Sequence, residues 1–338
     1  MKVEVYKLLK EGPLLLHIGL RRLDRTSNII HSDTLFSALS NSLIKLFGEE
    51  KFDLFEKNLV ISSVFPGLRL SKDILLLPKP EIPIKTSEED HKKYKKFQWI
   101  SLDALKKLLA NFDKNSKQIF IQNVEEFKFL NPRTLITKSE FEEIGEEIYF
   151  MGTTLEPKVR VSRETYYKAK ADEENSYTTL YFQENLELHP IKLSNRKTII
   201  PFLYFLKMKN NEIEELFTPS LSLTLEEGLG GERTTGKGIF DTFEKEELEV
   251  PENGEFEISL SLTFPKREEV NNLIYYQLVK RDGFIYYQKP TGYRKKTHYK
   301  IAEGALVRSP YVGENINVSP ISSMKVISYG KSLGFKIS

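Results

Sequence analysis

The pattern of apolar and polar positions opens with strands. Residues 3–9 and 13–19 read as two of them, the second ending in His17-Ile18-Gly19, and Arg21, Arg22 and Arg25 follow in a polar turn. A helix comes next. Ser32 is placed to cap it, Asp33 sits in its first turn, and Leu35, Phe36, Leu39, Leu43, Leu46 and Phe47 recur at helical spacing until Gly48 stops it. Residues 59–65 and 74–77 read as two more strands, so strand, helix, strand, strand fits the first part of a ferredoxin-like unit.

Beyond Pro78 the pattern loosens up to about Asn131. Residues 87–96 form a solvated charged run, and residues 99–109 hold a short amphipathic helix starting at Ser101. This stretch reads as an inserted lobe. In residues 157–163 polar and apolar side chains alternate, which puts Lys158, Arg160 and Ser162 on one face of a strand with Arg163 at its end. A long strand is expected over 177–188, and residues 199–208 are apolar enough to be strand or helix. Thr218-Pro219 is a helix-start pair, which favours a short helix running into residue 228. Residues 239–243 and 255–264 read as strands, with Asn253-Gly254 as the tight turn of a hairpin between them.

Eleven residues, Gly228-Leu-Gly-Gly-Glu-Arg-Thr-Thr-Gly-Lys-Gly238, break every periodicity. Five glycines there would be costly inside a helix or strand, because each loses backbone entropy on ordering and adds nothing to a core. Gly228, Gly230, Gly231, Gly236 and Gly238 free main-chain N–H groups to approach an anion; Thr234 and Thr235 add hydroxyls, and Arg233 and Lys237 add charge. A Walker loop is excluded because Gly238, not Ser or Thr, follows Lys237. A dinucleotide fingerprint needs a helix after the loop, where residues 239–243 read as a strand. A glycine-rich turn with no ligand is the steric alternative.

Composition narrows the partners. At 338 residues the chain exceeds one small core, and about 100–200 residues per domain implies two: 1–150, with an insertion at about 80–140, and 151–338, which carries the glycine-rich loop. A hydrophobic content of 40% with mixed charge is that of a soluble protein, no apolar run could span a membrane, and the first residues lack the apolar stretch of a secretory signal, so a cytoplasmic protein is expected. With no cysteine and five histidines at no metal-ligand spacing, thiolate chemistry is excluded and no metal or other cofactor is expected. The net charge of +2 decides nothing, because a nucleic-acid binder needs a local basic surface. Residues 281–300 provide one. Arg281, Lys289, Arg294, Lys295, Lys296 and Lys300 interleave with Phe284, Tyr286, Tyr287, Tyr293 and Tyr299, which suits stacked bases and a tracked RNA backbone; a buried tyrosine strand with a basic outer face is the alternative.

His31-Ser-Asp-Thr-Leu-Phe-Ser-Ala-Leu39 together with the loop 228–238 resembles the RAMP superfamily of CRISPR proteins. Within it the chain looks most like the subunit of the type III-A (Csm) effector complex that caps the 5′ end of the guide RNA, and the likeness extends to residues 158–163 and 292–304. The resemblance implies an α+β fold of two ferredoxin-like (RRM-like) modules, with the loop and its basic neighbours gripping the 5′ tag. RNA contacts are then expected from residues 228–238, Lys158, Arg160, Arg163, Arg21, Arg22, His31, Tyr293 and Arg294. The implied partners are the guide RNA, a large polymerase-type subunit and a repeating backbone subunit, and the subunit itself is not catalytic. Two other functions compete. Related proteins cleave guide precursors without metal through a histidine, for which His17 and His31 are the candidates, and a related subunit sits at the 3′ end of the same complex.

Overall fold

A computed structural model of the chain describes residues 2–19, 24–86, 88–160, 179–287 and 289–337. Strand β1 (Lys2–Leu9) is buried on both faces along nearly its whole length, as a strand in the middle of a covered sheet must be. Its alternation sorts two cores: Val3 and Val5 point into one, Tyr6 and Leu8 into the other. Helix α1 (Ser32–Phe47) covers the second of these with Leu35, Phe36, Leu39 and Leu43. The chain then runs into β2 (Phe65–Arg69).

After a long excursion it returns as β3 (Thr198–Met208), helix α2 (Glu214–Glu227) and β4 (Thr242–Glu249). Helix α2 packs beside α1, with Thr224 Oγ1 donating to Ser42 Oγ at 2.8 Å. The sheet order is β4-β1-β3-β2, and every adjacent pair is antiparallel. Beyond β2 the sheet continues through Ile74–Pro78, Trp99–Ser101, Thr134–Thr137 and Phe127–Asn131. Strands from both sides of residue 150, the boundary suggested by the sequence, therefore share one sheet.

The excursion, residues 70–197, holds the expected lobe and then a two-stranded ribbon, Gly152–Arg160 and Thr179–Leu188, whose second strand also pairs with Leu14–Leu16. Ser101 caps the lobe helix Leu102–Leu109 by accepting from the Ala104 N–H. The charged run is itself a helix, Glu88–Lys96, and is tied down by Tyr94, which is buried and packs edge-on against Phe129.

A second sheet is built from β5 (Phe256–Ser259), β6 (Leu273–Tyr275), β7 (Leu306–Arg308) and β8 (Gly334–Ile337), in the order β6-β7-β5-β8 and antiparallel throughout. Numbered from its own first strand, it has the same order as the first sheet. Phe256, Ile258 and Phe335 bury into the core that also holds Leu75 and Leu77, so the two sheets share one hydrophobic interior. The fold is α+β. Among the described residues no helix is long and apolar enough to cross a membrane.

Several expected elements are redrawn. Residues 239–264 are not a hairpin, because β4 pairs with β1 while β5 pairs with β7 and β8, and Asn253-Gly254 lies in the link between the sheets. Helix α2 starts one turn before Thr218-Pro219, since Ile213 and Phe217 are both fixed in the core and hold that turn helical ahead of the proline. Residues 59–64 make only isolated bridges, with the regular strand starting at Phe65. His31, not Ser32, stands at the N-cap of α1, and its side chain makes no cap bond.

Candidate nucleic-acid interface

The glycine-rich loop leaves helix α2 at Gly228 and is laced onto the strand Leu14–Leu16. Gly231 N–H donates to the His17 carbonyl at 2.7 Å, Gly238 N–H to that of Leu15 at 2.8 Å, and Leu229 N–H to that of Gly238 at 2.9 Å. This close approach is what the glycines permit. A Cβ on Gly230 would lie 2.6 Å from the His17 oxygen, and one on Gly238 2.0 Å from the Leu229 oxygen, with both residues at positive φ. The expected role of the glycine N–H groups is corrected accordingly: those of Gly228, Gly231, Gly236 and Gly238 all bond within the fold. The tip Thr234–Gly236 is exposed, and Gly236 has open space around it.

The cations sit on the ribbon and the loop, and each arrives with a carboxylate. On the polar face of Gly152–Arg160, Lys158 lies 3.2 Å from Glu156 and 3.5 Å from Glu232 of the loop. Lys237, largely buried, reaches back to the same Glu156 and donates to Asn185 Oδ1 at 3.0 Å. Asn185 Nδ2 in turn donates to Glu156 at 3.2 Å. Arg233 approaches Glu227 at 3.7 Å, which also holds Lys45 at 2.5 Å. Hydrogen bonding from Lys237, joined by that from Lys158 and Asn185, outweighs the opposing desolvation of Glu156 and draws its carboxyl down to about 2. Opposite Glu156 across the ribbon, Gln183 is buried with neither amide atom paired.

Sequence reading found Lys158, Arg233 and Lys237 but missed these counter-charges. The signal was available for one of them, since Glu156 is two residues from Lys158 and must share its face. Arg160 ends the same strand, though its side chain is outside what the structure describes, and Arg21, Arg22 and Arg163 lie outside the described residues.

The aromatic and basic segment divides into an inner and an outer part. Arg281 and Lys300 do not face solvent: both turn inward to Asp33, and Lys300 also donates to the Tyr329 carbonyl. Phe284, Tyr293 and Tyr299 are about half or more exposed, and the Arg294 guanidinium lies over the Phe284 ring at 4.9 Å. That outer face retains the composition of a stacking surface. The Tyr286, Tyr287 and Lys289 side chains are outside the described residues.

Neither candidate histidine stands in an open site. His17 Nδ1 donates to the Glu184 carbonyl at 2.8 Å, and its ring lies against Gly231. His31 is buried, with Nδ1 2.9 Å from Glu303 Oε1, and Ser63 Oγ bonds that same oxygen. Together with Ser32, whose hydroxyl accepts from Leu262 N–H, and Asp33, it joins helix α1 to the C-terminal part of the chain. His31 is thus an internal contact and not part of an exposed groove.

Two family models match most of the chain. The RAMP superfamily model matches residues 12–241 and the CRISPR Csm4 C-terminal domain model residues 252–337. The chain belongs to the RAMP superfamily, and within it to the Csm4 proteins. It is 30% identical to the CRISPR system Cms protein Csm4 of Methanocaldococcus jannaschii over 344 residues, covering 90% of this chain and 85% of that one. Among solved structures it resembles a chain of the Csm3-Csm4 subcomplex of the type III-A CRISPR-Cas interference complex, with a TM-score of 0.66, 25% identity and all of both chains covered. A chain of a Csm1-Csm4 cassette in complex with pppApA shares the fold, with a TM-score of 0.57 and 19% identity over all of this chain and 98% of that one.

Proposed function

We propose that the protein is a non-catalytic RNA-binding subunit of a type III-A CRISPR effector complex that holds the 5′ tag of the guide RNA. The observation carrying this reading is the convergence of Lys158 and Lys237 on one site, from a ribbon strand and from a loop separated by most of a domain in sequence. Phosphates are held by such clusters through charge, without regard to base. Arg233, Thr234, Thr235 and the exposed tip at Gly236 extend the site along the loop, and Arg160, Arg163, Arg21 and Arg22 belong to its surroundings by sequence. Tyr293 and Arg294, with Phe284, form a second contact surface.

The order β4-β1-β3-β2, with a helix after the first and third strands in sequence, supports reading residues 2–249 as one ferredoxin-like module interrupted by residues 70–197. The matching order in β5 to β8 supports a second module over residues 256–337. This division replaces one at residue 150 and agrees with the spans of the two family matches. The partners in this reading are a backbone subunit like the Csm3 named with one relative and a large subunit like the Csm1 named with another.

Co-expression with those two subunits tests the assembly, and binding of tag-bearing against tagless guides tests the 5′ position. Equal affinity for both guides would favour a place elsewhere in the complex. Incubation of the protein with repeat-containing RNA in the absence of metal tests the non-catalytic part. A defined product that disappears in His17→Ala or His31→Ala would overturn it.

A further inference from the structure

Glu156 is bonded in the manner of a bound phosphate oxygen. Its carboxylate receives Lys237, Lys158 and Asn185 Nδ2 at once, yet it remains about two-fifths exposed. An anion arriving from solvent can therefore reach the two ammonium groups only by competing with this carboxylate. The surroundings fit such an exchange. Glu156 and Lys237 lie at an open pocket of about 290 Å³ whose other walls include Pro13, Leu15, Thr235 and Gly236, so a phosphodiester and its sugar have room beside the pair. Gln183, directly opposite Glu156 on the ribbon, is buried with its donor and acceptor both unpaired. Glu232 repeats the arrangement on the loop side of Lys158.

We propose that Glu156 is an exchangeable counter-anion, which keeps Lys158 and Lys237 ordered before RNA binds and is displaced from both by a backbone phosphate when it does. The inference rests on the reading of this site as a guide-RNA interface. Its consequence is selectivity. A weak or isolated anion does not repay the loss of the carboxylate, whereas an RNA strand held at several points along the loop does. The wild-type salt dependence is also shallower than the number of phosphate contacts implies, because each freed carboxylate takes up solvent cations as the phosphate loses them.

The test is fluorescence anisotropy of a short labelled single-stranded RNA with the full chain, titrated at several KCl concentrations. Glu156→Gln is expected to bind about ten-fold tighter, with a salt slope steeper by about 0.7, while Lys158→Gln and Lys237→Gln bind more weakly. Unchanged or weaker binding by Glu156→Gln, with both lysine variants impaired, overturns the exchange and leaves the RNA site standing. If the lysine variants also bind like wild type, the site reading itself falls. A second measurement uses the unaltered protein, so that a folding defect in Glu156→Gln cannot leave the matter undecided. Carbodiimide coupling of Glu156 to Lys158 or Lys237, read by peptide mass spectrometry, should fall at saturating RNA, and undiminished coupling would equally overturn the proposal.

Discussion

Asp33 accepts both arms of Arg281 across 248 residues of sequence, with Nε 2.9 Å from Oδ2 and Nη2 2.7 Å from Oδ1. Lys300, fully buried, approaches the same carboxylate at 3.4 Å. Burial alone would raise the Asp33 carboxyl, but Lys300 and Arg281 hold it far below the ordinary carboxylate range. Removing one member of a buried, hydrogen-bonded charge cluster costs about 3–5 kcal/mol, because the remaining charges stay buried without compensation. Asp33→Asn is therefore expected to lower the urea midpoint strongly, and adding Lys300→Met should recover part of the loss. A Lys300→Met cost that is the same in wild type and in Asp33→Asn would mean that Asp33 and Lys300 are not coupled, and a double-mutant cycle measures that coupling directly.

The pH response of the C-terminal sheet should be set by Glu257. This residue of β5 is buried, its Oε1 has no partner, and burial pushes its carboxyl up to about 7, with Lys336 opposing and Glu269 adding to the rise. Because the folded pKa lies above the unfolded one, the sheet gains from a neutral Glu257. That contribution is complete below about 4.5, is lost as pH rises through about 7, and amounts to about 3 kcal/mol. Glu257→Gln should therefore melt higher than wild type at pH 8 and close to it at pH 5. A melting difference that does not change with pH would exclude Glu257 as its source.

These two clusters mark where the sequence stops being legible. Periodicity identified α1 and the lobe helix after Ser101, because each has one face against a core and one toward solvent, and it identified the ribbon strands by their alternation of residue type, although the apolar Leu155 and Val159 of that ribbon are exposed. It failed where strand partners lie far apart in the chain. Nothing local to residues 199–208 tells that they slot between β1 and β2, since a strand buried on both faces shows no alternation. The same limit applied to function. Arg281 and Lys300 look solvent-facing in a basic run until Asp33 is brought to them from helix α1, and His31 looks available until Glu303 meets it. The glycine-rich loop was legible as a place of close approach, but what it approaches first is its own neighbouring strand.

Phosphate contact at the ribbon and loop predicts a particular dependence on salt. Lys158→Gln, Lys237→Gln and Arg233→Gln should each weaken RNA binding for every tag sequence alike and make the slope of log affinity against log salt shallower by about 0.7, the value for one single-strand phosphate. Affinities for a panel of tag variants over a KCl series measure both quantities. An effect confined to one base position would identify base readout at that lysine or arginine instead.

Gly236 and Gly238 separate conformational strain from steric exclusion within a single loop. Both have positive φ, at 86° and 71°, so an alanine at either pays roughly 1–2 kcal/mol for the left-handed backbone. At Gly236 nothing lies within 4 Å of the added Cβ, and strain is the whole cost. At Gly238 the Cβ would meet the Leu229 carbonyl oxygen at 2.0 Å, and a backbone atom cannot swing aside as a side chain can. Relief would require breaking the Gly238 to Leu15 and Leu229 to Gly238 hydrogen bonds that fix the loop to its strand. Gly238→Ala should therefore destabilise the protein by several kcal/mol more than Gly236→Ala and release the amides of Leu229, Gly231 and Gly238 to hydrogen exchange. Gly236→Ala should keep those amides protected, and any RNA affinity it loses would report on the exposed tip alone. If the two variants unfolded at the same denaturant concentration, the loop would be free to move away from Leu14–Leu16, and the close approach would not be what the glycines are for.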